Sequence, residues 1–345
     1  MFARDFMGST FSRMPAAALA STPFMMLPCD AFLSAHDEGI HVTDTGFHRP
    51  KFDAAYLLVE HGRAAFIDTG TNHSVPRLLA SLAALGLGVE DVDYVIPTHV
   101  HLDHAGGAGL LMQSLPRARL VVHPRGARHM IDPGALMAGA LAVYGQEELT
   151  RSYGDVVGVS EDRVMTTHDG FTLDFAGRPL LFIDTPGHAR HHHCIWDERS
   201  RGFFTGDTFG LSYREFDSAR GAFLIPTTTP VQFEPDALRA SVERMLAFDP
   251  RWMYLTHYGA VGGVQALGRQ FLDTLDAVVA LGHAARQHPD RDGELRRGLA
   301  ALYLDRLHAH GAAMTDSDAL ALLALDIELN AQGMGIWLDR LDRQP

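Results

Sequence analysis

The sequence predicts an α+β fold with a helical C-terminal extension. Three observations carry that prediction. Short apolar, partly β-branched runs separated by turn residues fill residues 28–262. Four of those runs end in a turn that bears histidine or aspartate. After residue 262 the strand pattern stops, and apolar residues recur at helical spacing.

Residues 40–44 alternate as a strand, and 54–60 and 64–67 flank His61-Gly62-Arg63 as a hairpin. Leu78, Leu79, Leu82 and Leu85 share one face of a helix predicted over 74–85, which Gly86 stops. Residues 92–96 read as a buried strand, and a helix through Leu110, Leu111 and Leu115 follows the turn after it. Further strands are predicted at 120–122, 163–167, 171–175, 179–183, 194–196, 202–205 and 252–255. A helix is predicted over 236–248, and helices and loops are inserted at 125–153. The C-terminal region is expected as helices over 264–286, 294–308 and 318–329, with a short one near Trp337. The stretch 320–329 is apolar on most sides and calls for burial against the main domain or at a subunit contact. The chain therefore divides into an arm, 1–27, a catalytic domain, 28–262, and a helical region, 263–345, packed on it.

The 345 residues, 46% hydrophobic, suffice for one large domain or two modest ones. A formal charge of −13, with Lys51 the sole lysine, speaks against a general nucleic-acid binder. No uncharged apolar run reaches the roughly 18 residues that a membrane span needs, so none is predicted. Residues 1–27 read as a loose arm, with a targeting segment as the alternative. Cys29 and Cys194 are the only cysteines, which excludes a four-cysteine metal site and fits a reducing, cytoplasmic compartment.

The chemistry centres on Pro97-Thr98-His99-Val100-His101-Leu102-Asp103-His104-Ala105-Gly106-Gly107. Neutral imidazoles ligate zinc, iron and manganese. Residues two apart in an extended turn point the same way, so His99 and His101 can approach one ion together. Asp103 and His104, at the helix start, turn toward a neighbouring position. The two pairs then serve two adjacent ions. His188, Asp207 and His257 stand at three other strand ends. Each alone reads equally as a hydrogen-bonding turn residue; together with the histidine-rich turn they complete a metal site. A carboxylate such as Asp207 can bridge two cations, and two ions roughly 3.5–4 Å apart can activate a shared water.

These residues resemble the metallo-β-lactamase-fold hydrolases, in the branch of glyoxalase II-like thioesterases and quorum-quenching lactonases. The matching segments are Asp68-Thr69-Gly70, Thr98 to Gly107, Thr185-Pro186-Gly187-His188, Thr205-Gly206-Asp207-Thr208 and Thr256-His257, in the superfamily's order. The resemblance implies an αβ/βα four-layer sandwich. It implies His99, His101 and His188 on one metal, Asp103, His104 and His257 on the other, and Asp207 between them. Asp68 would accept a hydrogen bond from a ligand imidazole. Two divalent ions are implied, zinc first, with iron or manganese as alternatives. His101 separates the chain from the flavodiiron-like branch, which has Glu there. Asp207 stands where true zinc β-lactamases have Cys. Gly106-Gly107 departs from the Thr-Gly of persulfide dioxygenases.

The expected reaction is attack of a metal-bridging hydroxide on an ester, thioester or lactone carbonyl of a small molecule, with Asp103 or Asp207 relaying a proton. Tyr258, beside His257, is a candidate donor to the oxyanion, and equally a packed tyrosine. One of His191, His192 and His193 is a candidate neighbour of the ligands or contact to substrate. Cys194 reads as core. The alternatives are a mononuclear iron persulfide-dioxygenase-like enzyme and a phosphodiesterase or nuclease of the same fold. The expected partners are a small-molecule substrate and a second copy of the chain docked through the C-terminal helices, with no membrane and no nucleic acid.

Overall fold

The computed structural model describes residues 28–343, with side chains except at 142–144. The expected arm, 1–27, and its targeting alternative lie outside the described residues. One sheet runs in chain order through β1 (Leu33–Ala35), β2 (Ile40–Asp44), β3 (Ala54–Glu60), β4 (Arg63–Ile67), β5 (Val92–Ile96), β6 (Arg119–Val122) and β7 (Val164–Thr166). The second is built from β8 (Phe171–Phe175), β9 (Arg178–Asp184), β10 (His193–Asp197), β11 (Gly202–Gly206), β12 (Trp252–Leu255) and β13 (Gly259–Val261). Its strands also pair in chain sequence, β8 at one edge and β13 at the other. The three-residue edge strands β1 and β13 are too short to show a period in the sequence.

Both faces of each sheet are buried, and the side chains sort by strand alternation. In β3, Ala55 and Leu57 join Ala64 and Phe66 of β4 against the outer helices. Ala54, Tyr56 and Leu58 point the other way, to Phe182, Ile195, Phe204 and Tyr254 of the second sheet. In that sheet, Cys194, Trp196, Phe203 and Met253 face outward into a third core. Three apolar interfaces make four layers, helix, sheet, sheet, helix, which is the αβ/βα sandwich.

The first sheet is covered by α1 (Val75–Ala84), α2 (Leu102–Ala105), α3 (Ala108–Ser114) and α4 (Pro124–Ile131). The helix expected after the histidine-rich turn is thus divided at Gly106-Gly107. Two short helices, α5 (Gly134–Tyr144) and α6 (Gln146–Ser152), form the insert before β7. The second sheet is covered by α7 (Pro235–Leu246), α8 (Val264–Ala285), α9 (Arg291–His310), α10 (Asp316–Leu322) and α11 (Ala324–Asp342).

The C-terminal helices differ from expectation in one respect. The break falls at Leu323, with a bend of 61°, and α11 then runs through Trp337 without interruption. Gly333 and Gly335 do not end it. A Cβ at Gly333 would lie 1.5 Å from the Thr228 carbonyl oxygen, so glycine there allows close approach of helix and loop. Asn330 ties the same contact: its Oδ1 accepts from Thr228 N at 2.7 Å, and its amide donates to the Pro226 carbonyl at 3.2 Å. Leu299, Tyr303 and Trp337 share a core with Phe203 and Met253, so the helical region has no core of its own. No single helix among the described residues is long and apolar enough to cross a membrane.

Candidate metal centre

The structure brings together seven of the expected site residues at one end of the sandwich. His99 and His101 follow β5, and Asp103 and His104 lie in α2. His188 follows β9, Asp207 follows β11, and His257 follows β12. Loops at strand ends are held by the sheets beneath them, so the donors converge without needing contacts to one another. His99 Nε2 stands 2.8 Å from His101 Nδ1, and His188 Nε2 stands 3.0 Å from the same atom. On the other side, His257 Nε2 is 3.4 Å from Asp103 Oδ2, and His104 Nε2 is 3.8 Å from it.

Asp207 lies between these groups. Its Oδ2 is 3.4 Å from His188 Nε2. Its Oδ1 is 3.2 Å from His104 Nε2 and 3.7 Å from His257 Nε2. Two ligands about 2.0–2.1 Å from a tetrahedral ion stand about 3.3 Å apart, and these separations bracket that value. His99, His101 and His188 form one set that could hold an ion, and Asp103, His104 and His257 form another.

The outer partners of the rings turn lone pairs inward. His257 Nδ1 donates to the Phe52 carbonyl at 2.9 Å, because a carbonyl only accepts. Thr227 gives its hydroxyl proton to the Asp207 carbonyl and therefore accepts from His188 Nδ1 at 3.0 Å. Thr98 likewise donates to Asp68 and accepts from His99 Nδ1 at 3.2 Å. His104 Nδ1 donates to Asp68 Oδ2 at 2.9 Å. With these Nδ1 atoms carrying hydrogens, four Nε2 atoms face one small space. His104 Nε2 and Asp207 Oδ1 are buried there without a hydrogen-bond partner. Converging acceptors and orphaned polar atoms are the pattern that divalent cations satisfy. The residues present fit two such ions.

Asp68 is fully buried and anchors the arrangement. Besides His104 it accepts from Thr98 N at 2.7 Å and from the Thr256 hydroxyl at 2.7 Å. Its φ of +56° is uncommon for a residue with a Cβ, and four donors hold it there. Gly206 sets up Asp207 in a similar way. A Cβ there would lie 2.5 Å from Thr98 Oγ1 and 2.6 Å from His192 Nε2, and its φ is +47°.

Electrostatics divide the rings into two kinds. Burial, then the neighbouring imidazoles, holds His99 well below its ordinary value. Burial likewise brings His101 down to about 3 and His188 to about 4. These three imidazoles are neutral at physiological pH. Burial also opposes charge on His104 and His257, but the carboxylates around them outweigh it. His257 rises to about 10, with Asp207 the largest of the raising influences. A cation entering this half displaces protons from these rings.

Tyr258 is the exception among the expected catalytic residues: the structure does not bring it to the cavity. Its ring packs against the inter-sheet core, and burial pushes its hydroxyl up to about 12. His257 faces the cavity, and Tyr258 is not among the residues that line it. Of the three consecutive histidines, His191 lines the cavity beside His101, with ring centroids 5.5 Å apart. His192 stacks on His99 at 4.7 Å, and His193 bridges Thr167 and the Pro97 carbonyl. Cys194 is buried in the outer core, where burial drives its thiol up to about 12.

Of the donors, His101, Asp103, Asp207 and His257 border a cavity of about 380 Å³. Phe47, Phe52, Leu102 and Leu211 wall it beside them, α5 and α6 contribute another side, and α11 contributes Leu325, Asp326 and Leu329. Thr227 and Asp326 went unrecognised in the sequence. The signal for Asp326 was present, one of two carboxylates, with Glu328, in the otherwise apolar stretch 320–329. Thr227 gave none, because its role depends on a fold contact with His188.

The sequence matches the metallo-beta-lactamase superfamily over residues 48–257. A metallo-beta-lactamase fold-containing protein of Sulfurisphaera tokodaii is 26% identical over 228 residues, 65% of this chain and 79% of that one. A hydroxyacylglutathione hydrolase of a Synechococcus species is 30% identical over 156 residues, 44% of this chain and 47% of its own length. The chain thus spans about half of that enzyme. A metallo-beta-lactamase family protein of Thermus thermophilus shares the fold, with a TM-score of 0.64 at 21% identity over 88% of this chain and 94% of that one. With the match covering more than half of its residues and the sandwich carrying the donor set at its strand ends, the chain belongs to the metallo-beta-lactamase superfamily.

Proposed function

We propose that this chain hydrolyses an ester, thioester or lactone carbonyl of a small molecule, using two divalent metal ions. The observation that carries this reading is the Asp207 carboxylate, with one oxygen toward each of two donor sets. His99, His101 and His188 would hold one ion, Asp103, His104 and His257 the other, and Asp207 both. Zinc suits these donors, as do iron and manganese. Such a pair of cations supplies hydroxide near neutral pH and a Lewis acid for the carbonyl oxygen.

The chain's own groups do the rest. Asp68, Thr98, Thr227 and the Phe52 carbonyl fix the imidazoles in one tautomer each. Phe52 and Leu102 keep bulk water from the donors, which strengthens every charge interaction there. Asp103 has a side chain 25% exposed against 7% for Asp207, and it lines the cavity. That exposure supports Asp103 as the carboxylate that would accept a proton from water and return it to the leaving group. The relative named as a hydroxyacylglutathione hydrolase supports carbonyl hydrolysis. A cytoplasmic location goes with this reading, because Cys29 and Cys194 are both free.

The test is metal analysis of the purified protein, then assay of thioesters, lactones, β-lactams and phosphodiesters with Asp207→Ala as blank. Two ions per chain are expected, with turnover of a carbonyl ester lost by more than about 100-fold in the blank. Full activity in both His99→Ala and Asp207→Ala would overturn the proposal. One iron per chain with oxygen uptake would replace it by a mononuclear oxygenase.

A further inference from the structure

The cavity beside the metal donors is lined by no lysine and no arginine among the described residues. The arginines flanking it are engaged elsewhere. Arg49 lies over the Tyr213 ring and pairs with Glu215 at 2.7 Å. Arg151 pairs with Glu148, and Arg190 with Glu234. Arg340 donates to the backbone carbonyls of Val231 and Phe233. Arg49 keeps one buried Nη without a hydrogen-bond partner, but no guanidinium lines the cavity to receive an anionic group that enters it.

It would instead meet Asp326. This residue of α11 is 8% exposed and lines the cavity. Its carboxylate accepts the Tyr213 hydroxyl at 3.1 and 3.2 Å. A carboxylate has room for about four donors, so acceptor capacity remains. Burial raises its carboxyl to about 6, which still leaves it ionised at pH 8. His257 and Arg49 counter part of that rise, and the wall beside it is apolar. Leu136 and Ala140 face the cavity from α5, a helix of Gly, Ala, Leu, Met, Val and Tyr alone. Val231 and Leu325 line it too and remain 54% and 39% exposed, unusual for large apolar side chains here.

We infer that Asp326 is a specificity-determining residue, which turns away acyl substrates bearing an anionic group and accepts apolar ones that present a neutral or cationic hydrogen-bond donor. Like charges brought together in a desolvated cavity repel strongly, and selectivity of this kind is built from a repulsive element as much as from contacts. The inference rests on the hydrolase reading above.

Nitrophenyl esters of equal acyl length, ending in methyl, hydroxyl, ammonium or carboxylate, test it on the metal-loaded protein at pH 8. The carboxylate ester is expected at least about tenfold below the methyl ester in kcat/KM. Asp326→Asn should move that ratio about tenfold toward unity. Leu329→Arg, which adds a cation to the same wall, should move it in the same direction and serves if the first variant fails to fold. A carboxylate ester turned over as well as the methyl ester overturns the inference. So does a ratio that neither folded variant changes. If no ester is turned over, the hydrolase reading falls separately. Calorimetric binding of the matching amides then decides, and equal affinity for the carboxylate and methyl forms overturns the inference.

Discussion

Replacing Asp68 by Asn changes one oxygen to an amide and leaves the shape intact. The αL backbone at this position, φ +56°, suits asparagine well. Only the hydrogen bonding is disturbed. Oδ1 must stay an acceptor, because the Thr98 amide at 2.7 Å cannot change its polarity. The new NH2 therefore takes the Oδ2 position, facing His104 Nδ1 at 2.9 Å and the Thr256 hydroxyl at 2.7 Å. The hydroxyl can rotate and accept. The imidazole can accept only by moving its proton to Nε2, the atom that faces Asp207 and Asp103. The variant thus presents an N–H where a metal needs a lone pair. Loss of such an outer partner costs about 10- to 100-fold in metal affinity, or about 1.4–2.7 kcal/mol. Competition of zinc against a chelator, read on wild type and Asp68→Asn, measures this directly. The weakened ion should be one of the two, with the His99–His101–His188 set nearly unaffected. A variant that keeps both ions at wild-type affinity would refute the tautomer argument.

Two further outcomes are expected. Arg178 and Asp197 form a fully buried pair, at 2.8 and 2.6 Å. Burial alone would raise the Asp197 carboxyl, but Arg178 and Ser200 hold it below its ordinary value. A depressed value means stability that is present above the unfolded pKa of about 3.9 and lost as pH falls through the folded one. Urea unfolding should show wild type about 3–5 kcal/mol more stable than Asp197→Asn from pH 7 to about 4, with the gap closing below. Asn330→Ala leaves the Thr228 amide unpaired and loosens α11 against the 226–228 loop, while the Thr228 hydroxyl keeps its bond to the backbone carbonyl of residue 330, at about 1–3 kcal/mol. Metal content should stay at the wild-type level while KM rises, as steady-state kinetics would show.

Much of the site was readable because its donors are local to strand ends. His99, His101, Asp103 and His104 fall within six residues, and that density has few bland explanations. His188, Asp207 and His257 gained weight only through the strands before them, which apolar runs such as 252–255 announce. The sandwich followed from the same runs and from resemblance. Tyr258 stayed open between an oxyanion donor and a packed ring because adjacency to His257 in sequence carries no direction in space. The break at Leu323 lay among apolar residues, where helical periodicity gives no boundary. Gly333 lies inside α11 because its missing Cβ serves the contact with Thr228, which no local pattern announces. Asp326 was passed over since its cavity is made by segments more than a hundred residues apart.

Each sheet is drawn from one continuous half of the chain, and among the described residues the backbone passes from one to the other at 167–170. The donors divide along the same line. His99 and His101 come from the first half and His188 from the second; Asp103 and His104 come from the first and His257 from the second. Any ion bound there is a clasp between two halves that otherwise meet through apolar packing and hydrogen bonds such as that from Thr256 to Asp68. Ligand binding that exists only in the assembled state adds to its stability by mass action. Chelation therefore does more than silence a reaction: it removes a fastening at the open end of the sandwich, while the opposite end keeps its packing. By the same reasoning, two fragments divided within 167–170 would find in the metal the reason to stay together.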